Sequence, residues 1–176
     1  EEISTTLLRN NKERKTLENI ACSQALNKIN ILNDKNVGIR SKFIVVYDKS
    51  WHSGILGIIA SRLIKEFNVP SIVMKVKGKK SKGSIRSIKG INAAEIINFL
   101  KIKSCISNGG GHSMAGGFSF DEKFLTEIKF NLENYFNNVS IKKREFLEVD
   151  TVLDLNYVTI SLIKNIKNIG PFGQDN

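Results

Sequence analysis

Five of the chain's 13 glycines fall within nine residues, Gly109-Gly110-Gly111-His112-Ser113-Met114-Ala115-Gly116-Gly117, around one of only two histidines. Each glycine removes a side chain, exposes backbone N–H groups and permits positive φ, so successive N–H groups can converge on an anion. His112 sits in the middle, able to donate to a phosphate oxygen or to shuttle a proton. The competing reading is a loop that turns sharply between two packed elements, with His112 as its hydrogen-bonded filler. Both stand at this point.

The 176 residues suffice for one substantial domain, or one domain with an appendage. A hydrophobic content of 41% is globular, and no apolar run approaches the roughly 20 residues of a membrane span. The chain opens on Glu1 with no leader-like stretch and stops at Gly173-Gln174-Asp175-Asn176, so it is expected to be part of a longer cytoplasmic protein. Cys22 and Cys105 lie far apart and lack metal-ligand spacing, which supports neither a disulfide framework nor a zinc site. Net charge is +10, which points to a polyanionic partner. Lysine dominates that basicity, as an AT-rich genome would also produce, so local clustering is the better signal. Lys75, Lys77, Lys79, Lys80, Lys82, Arg86 and Lys89 form such a cluster, with no acid among them.

Apolar spacing predicts a helix over about residues 11–31, through Leu17, Ile20, Ala21, Ala25 and Ile29. Phe43–Tyr47 reads as a buried strand, and Ser53 as the N-cap of a helix over Gly54–Phe67. Strands follow at Ser71–Val76 and Gly83–Ile88, joined by a lysine-rich hairpin turn. Asn92 and Glu95 resemble a capping box opening the next helix. The glycine-rich loop then feeds a strand through Phe118–Phe120, and Asp121 caps a helix carrying Phe124, Ile128, Leu132 and Phe136. A further strand over Arg144–Asp150 and a helix over Val158–Ile169 complete the pattern. The alternation predicts an α/β fold: a mixed sheet of about five strands flanked by helices, behind an N-terminal linker helix. The expected domains are residues 1–35, 36–140 and 141–176.

Trp51-His52-Ser53-Gly54 stands before a helix, whose free N–H groups and dipole suit an anion. Trp51 either stacks on a base or fills a core gap, and His52 either faces a ligand or caps. Gly54 and Gly57 each cost a helix roughly 1 kcal/mol against alanine, which a close approach of backbone or ligand would rationalise. Arg62 reads as solvated or salt-bridged. In Gly83-Ser84-Ile85-Arg86-Ser87, Ser84, Arg86 and Ile88 would share one strand face. A hydroxyl beside a guanidinium fork suits a phosphate, although an edge-strand arginine that deters aggregation has the same appearance. A two-metal hydrolytic centre needs several converging Asp and His ligands, and no such set is encoded. Phosphate-loop, zinc-protease and serine-hydrolase motifs are also missing.

Trp51-His52-Ser53-Gly54-Ile55-Leu56-Gly57-Ile58-Ile59-Ala60-Ser61-Arg62-Leu63 resembles the WHxGxxGIxASRL segment of the RecJ family of single-strand DNA exonucleases. Gly83–Ser87 is similar to that family's GSxRS strand, and Gly109–Gly117 to the GGHxxAAG signature of its DHH-associated domain, with Gly116 where alanine is frequent. Asn11-Lys12-Glu13-Arg14 resembles the start of the family's linker helix. Pro171–Asn176 is similar to its PFGxGN segment, with Asp175 where glycine is usual. The resemblance implies a 5′→3′ exonuclease of recombination and repair, whose DHH domain, holding Mn²⁺ or Mg²⁺, is missing from this chain. The present chain would supply substrate contacts and be inert alone, with no cofactor of its own. Carried over to matching positions, Ser84 and Arg86 would hold a phosphate. His112 with Gly110 and Gly111 would contact the phosphate near the scissile bond or support the metal site. Trp51 and His52 would lie near the same cleft. Residues from about Glu148 would enter an OB-fold.

The expected partners are single-stranded DNA and the DHH domain in cis, with no membrane. Two other functions remain open: a nucleic-acid-binding module without nuclease context, and a small-oligonucleotide or cyclic-dinucleotide phosphodiesterase of the same superfamily. An apolar strip along residues 17–29 is expected to be exposed in the absence of the partner domain.

Overall fold

The computed structural model describes residues 2–35, 42–139, 149 and 151–170. The chain divides into two compact units, Glu1–Lys142 and Lys143–Asn176. In the first, a five-stranded mixed sheet runs in the order β1-β2-β3-β5-β4. β1 (Ile44–Asp48) and β2 (Ser71–Lys75) are parallel, joined by the crossover helix α2 (Leu56–Phe67). β3 (Ser81–Arg86), β5 (Ala115–Phe120) and β4 (Asn108–Gly111) continue antiparallel. Helices α1 (Glu2–Lys35) and α2 pack with one face, α3 (Ala93–Ile102) and α4 (Leu125–Asn138) with the other.

This is the α/β architecture that the sequence predicts, with one strand exchanged. The glycine run is not an open loop, because residues 108–111 form the edge strand β4 and hairpin onto β5. The strand expected over 144–150 lies, apart from Val149, outside the described residues, as does the segment 171–176.

Side-chain alternation divides the core into two layers. Ile72 and Met74 of β2 join Ile85, Phe118 and Phe120 under α3 and α4, where Ile96, Ile97, Leu100, Ile128, Leu132 and Phe136 complete the cluster. Phe43 stacks on Phe136 with ring centroids 4.3 Å apart. Val73 faces the other way and meets Val46, Ile59, Ala60 and Leu63. Being buried on both faces, β2 reads as a nearly continuous apolar run. The turn into β3 passes through Gly78, whose φ of +51° favours glycine, and the Glu122 carboxylate accepts from its N–H at 2.8 Å.

α1 is longer than its apolar spacing predicts, and at 34 residues spans roughly 51 Å. Only its second half packs. The small side chains of Ala21, Cys22 and Ala25, with Ile29, allow α1 to lie close on the α2 layer, so the strip over 17–29 is largely covered rather than exposed. Leu17 and Ile20 remain outside it, as do Ile3, Leu7 and Leu8 further out. Polar clamps fix the packed half. The buried Glu18 carboxylate pairs with Arg62 of α2 at 2.6 Å and Arg14 at 3.1 Å, so Arg62 is salt-bridged. Lys28 pairs with Asp48 at 2.8 Å and donates to the Tyr47 carbonyl at 2.9 Å.

In the second unit, a short turn at Leu155–Tyr157 precedes α5 (Ile160–Ile169). The Thr159 hydroxyl caps α5 by accepting from Leu162 N–H, and Gly170 ends it in an extended conformation.

Two outcomes are expected. A Cβ at Gly83 would run into the Phe118 ring within the α3/α4 core, so Gly83→Ala should lower unfolding free energy by about 1–3 kcal/mol in denaturant melts. Asp48 is held at about 2, against 3.8 for a free carboxyl, by the Lys28 ammonium and then by Ser50. A depressed carboxylate stabilises the fold fully above the unfolded value and loses that contribution as pH falls through the folded one. The pair should therefore contribute about 1 kcal/mol above pH ~4 that fades toward pH ~2. Carboxyl NMR titration should find Asp48 raised in Lys28→Met, but still below its ordinary value because Ser50 continues to donate to it. An unchanged Asp48 titration would mean that the pair is not formed in solution.

Candidate nucleic-acid interface

β3 reads Ser81-Lys82-Gly83-Ser84-Ile85-Arg86, and its alternation sends Gly83 and Ile85 into the α3/α4 core. Lys82, Ser84 and Arg86 therefore emerge on the α2 side. Ile88, expected on this face too, follows the end of β3 and packs with the opposite cluster. Arg86 Nη1 donates to Ser84 Oγ at 3.2 Å and to the Ile85 carbonyl at 3.0 Å. No carboxylate among the described residues pairs with Arg86, so its charge is uncompensated at short range.

The start of α2 lies over this pair. A Cβ on Gly57 would sit 2.6 Å from Arg86 Nη2 and 3.3 Å from Ser84 Oγ, so the missing side chain is what lets helix and guanidinium meet. Ser53 is not the N-cap of a helix over Gly54–Phe67 as expected. A single 3₁₀ turn, Ser53–Ile55, precedes α2, and His52 caps that turn. Its Nδ1 accepts from Gly54 N–H at 3.1 Å, so capping is the role that occupies this nitrogen while the side chain stays exposed.

Trp51 is 2% exposed. Its ring fills the α1/α2 core, and its Nε1 donates to Gln24 Oε1 at 2.8 Å. This corrects the expectation of a strand-contacting tryptophan: an indole enclosed on all sides offers no face to a base.

The glycine hairpin also works differently from the expected anion nest. None of its five glycines has positive φ. They stand in extended ladder positions, with Gly110 opposite Gly117 and Gly111 opposite Gly116. Gly109 and Gly116 leave room for Ile97 of α3, and a Cβ on Gly111 would strike the backbone at Ala115 and Gly116. Gly111 is therefore needed to close the hairpin, and it does not line the groove that Gly110 lines. Gly110 differs, since nothing lies within 4 Å of its missing Cβ, and Gly117 meets only the Gly83 carbonyl at 3.6 Å. Neither position needs glycine for packing or backbone conformation, although glycine weakens a strand. His112 is exposed in the hairpin turn, its N–H donating to the Ala115 carbonyl at 2.8 Å. Ala115 is the register partner of Arg86, so His112 extends the Arg86 row to the rim.

These elements bound an open groove of about 620 Å³ between the start of α2 and the strands β3, β5 and β4. Ser84, Arg86 and Gly110 line it, with Gly57, Gly117 and Lys82, which the helix glycines, the glycine run and the lysine cluster had marked, and with Ser119 and Asn108, which no motif marked. Lys82 was legible from period two along β3, whereas the β4 and β5 residues required the hairpin register. Two cations and no acid line the groove. Among the described residues, no group of three or more His, Cys, Asp or Glu could hold a metal ion, and no helix is long and apolar enough to cross a membrane. Burial pushes the thiols of Cys22 and Cys105 up, away from the thiolate form a nucleophile requires.

The sequence profile of the DHHA1 domain matches residues 40–138. The chain belongs to the DHHA1 family. This DHHA1 chain is 28% identical, over 181 residues and all of its own length, to the single-stranded-DNA-specific exonuclease RecJ of Bacillus subtilis (strain 168), of which it covers 22%. It resembles the crystal structure of RecJ in complex with Mg²⁺ from Thermus thermophilus with a TM-score of 0.75 and 26% identity, covering 97% of this chain and 25% of that one. A crystal structure of exonuclease RecJ bound to manganese gives a TM-score of 0.66 and 29% identity, over 80% of this chain and 33% of that one. The RecJ resemblance read from the motifs is met, and this is a RecJ-like DHH-associated domain spanning about a fifth of that Bacillus relative.

The glycines of the groove should separate stability from binding. Gly57→Ala should leave thermal stability equal to or up to about 1 kcal/mol above the parent, because alanine suits a helix and only the mobile end of Arg86 need shift. Gly110→Ala should fold equally well. Both should weaken binding of a single-stranded oligonucleotide severalfold in anisotropy titrations. Loss of stability in either would mean that the glycine serves packing.

Proposed function

We propose that this chain is the strand-gripping part of a 5′→3′ single-stranded-DNA exonuclease of recombination and repair. In this reading the groove holds the sugar–phosphate backbone opposite a DHH domain that carries Mn²⁺ or Mg²⁺ and performs hydrolysis. The observation that carries it is the floor of the groove: an arginine without an acidic partner among the described residues, beside two glycines that packing does not require. An anion is the natural counterpart of Arg86, whose planar fork matches a phosphate. A bare backbone beside it lets an elongated ligand lie close against the sheet. The RecJ names of the relatives and the manganese and magnesium of the solved RecJ structures fit this assignment.

Ser84 and Arg86 hold a phosphate in this scheme, and Gly110 forms the floor beside it. His52 and His112, both exposed, stand at the borders as donors to the strand. In this reading the metal is held by the DHH domain. The chain alone is then inactive and binds DNA without cutting it. Residues 1–35 act as linker helix, 36–140 as the DHH-associated domain, and 141–176 lead into a following module. The protein works in the cytoplasm.

The test is an anisotropy titration of a 5′-phosphorylated single-stranded oligonucleotide with the parent chain, Arg86→Ala and Arg86→Lys. Loss of the charge-assisted contact should weaken binding by about 1.5–3 kcal/mol in Arg86→Ala, with partial recovery in Arg86→Lys. If both variants bind like the parent, affinity is diffuse lysine electrostatics and the groove is not the site. Stronger binding of a dinucleotide than of a long strand would instead identify a small-phosphodiester enzyme.

A further inference from the structure

Three residue rows cross the groove face from β3 through β5 to β4. The first is Arg86 and Ala115, extended by His112; the second is Ser84, Gly117 and Gly110. The third is Lys82, Ser119 and Asn108, all lining the groove at the end away from Arg86. Two strand residues separate successive rows, about 6.7 Å, so Arg86 and Lys82 stand about 13 Å apart along β3. Successive phosphates of an extended single strand are spaced by about one such row. A strand lying along β3 with one phosphate at Arg86 would thus pass its next unit over the bare glycine row. It would bring the phosphate after that to Lys82.

The third row is built for an anion. Lys82 faces Lys75 directly across the β2–β3 pair, and like charges in that relation are unfavourable. Asp48, the neighbour of Lys75 on its other side, is engaged by Lys28 at 2.8 Å and leaves the repulsion standing. No hydrogen bond or ion pair within the described chain engages Lys82 Nζ or Ser119 Oγ. Asn108 uses its Oδ1 to accept from Gly109 N–H, keeping its amide N–H₂ available as a donor. Beyond this row the sheet leads into the turn carrying Lys77, Lys79 and Lys80, so positive potential continues in the same direction.

We propose that Lys82, Ser119 and Asn108 form a second phosphate subsite, two rows from Arg86, which makes a trinucleotide the minimal single strand that fills the groove. The proposal rests on the groove being a strand-binding site, as argued above. Lys82 supplies the charge, Ser119 and Asn108 supply directional donors, and the glycine row between the subsites keeps the intervening unit close to the sheet.

The test uses 5′-phosphorylated thymidine mono-, di- and trinucleotides titrated into the 176-residue chain, followed by amide NMR and repeated at two salt concentrations. Variants are Lys82→Ala, Ser119→Ala and Arg86→Ala. Affinity should step up between the di- and trinucleotide, and the amides of Lys82, Asn108 and Ser119 should shift with the trinucleotide but not the mononucleotide. Lys82→Ala and Ser119→Ala should abolish that step while binding the mononucleotide like the parent. Lys82→Ala should also flatten the trinucleotide's log–log salt dependence by about 0.7. The second subsite is overturned if the step survives in both variants, or if Lys82→Ala weakens all three lengths equally. Either failure leaves the groove reading intact so long as Arg86→Ala weakens every length. Binding indifferent to Arg86→Ala at every length would remove the groove reading and the subsite with it.

Discussion

The approach of α2 to β3 at Gly57 is the contact on which the candidate site depends. Any side chain there would meet the end of Arg86 and the Ser84 hydroxyl, so this single position decides whether helix and strand can share a wall. The same approach is what Ile59, Ala60 and Leu63 need to reach Val46 and Val73 beneath α2. The geometry of the site thus follows from one missing methyl group, whereas the core beneath α2 asks nothing of this position, since only the ends of Arg86 and Ser84 stand where a Cβ would be. The pairing of Glu18 with Arg62 draws α1 onto the outer side of α2 and keeps the second arginine of this region occupied, away from the groove.

Much of the fold was legible because each element carries its own period. β3 alternates, β2 is a short apolar run, α2 and α4 repeat their apolar residues at helical spacing, and Asn92 caps α3 as expected, while Asp121 caps the single 3₁₀ turn Glu122–Phe124 that leads into α4. What stayed hidden was the glycine run. Half of residues 108–117 are glycine, so neither periodicity nor propensity could identify them as two strands. Only their pairing with β3 and their fit beneath Ile97 do so. The Trp51 ambiguity was of another kind: an aromatic beside a helix start suits both a core and a ligand, and the choice rests on Gln24, 27 residues earlier in the chain.

The glycines of the hairpin divide by which face of the sheet they occupy. On the α3 face, Gly109 and Gly116 yield space to Ile97 and thus belong to the hydrophobic core. On the groove face, a Cβ on Gly110 would meet no described residue, and one on Gly117 only the Gly83 carbonyl at ordinary contact distance. One motif, read as a single unit in the sequence, therefore meets two separate demands. The alternation of the strands assigns each residue to one of them.

The long α1 helix acts mechanically as a beam clamped at one end. Glu18 is its first buried residue, and the 16 residues before it, roughly 24 Å of helix, are all exposed. Bending stiffness in a helix comes from its own backbone ladder, so an exposed stretch of this length carries a change of direction from one end to the other. A tilt of about 10° at the clamp moves the free end by roughly 4 Å, while the residues around Ala25 barely shift. The Glu18–Arg62 pair is in effect a fulcrum seated directly on the helix whose first turn walls the groove.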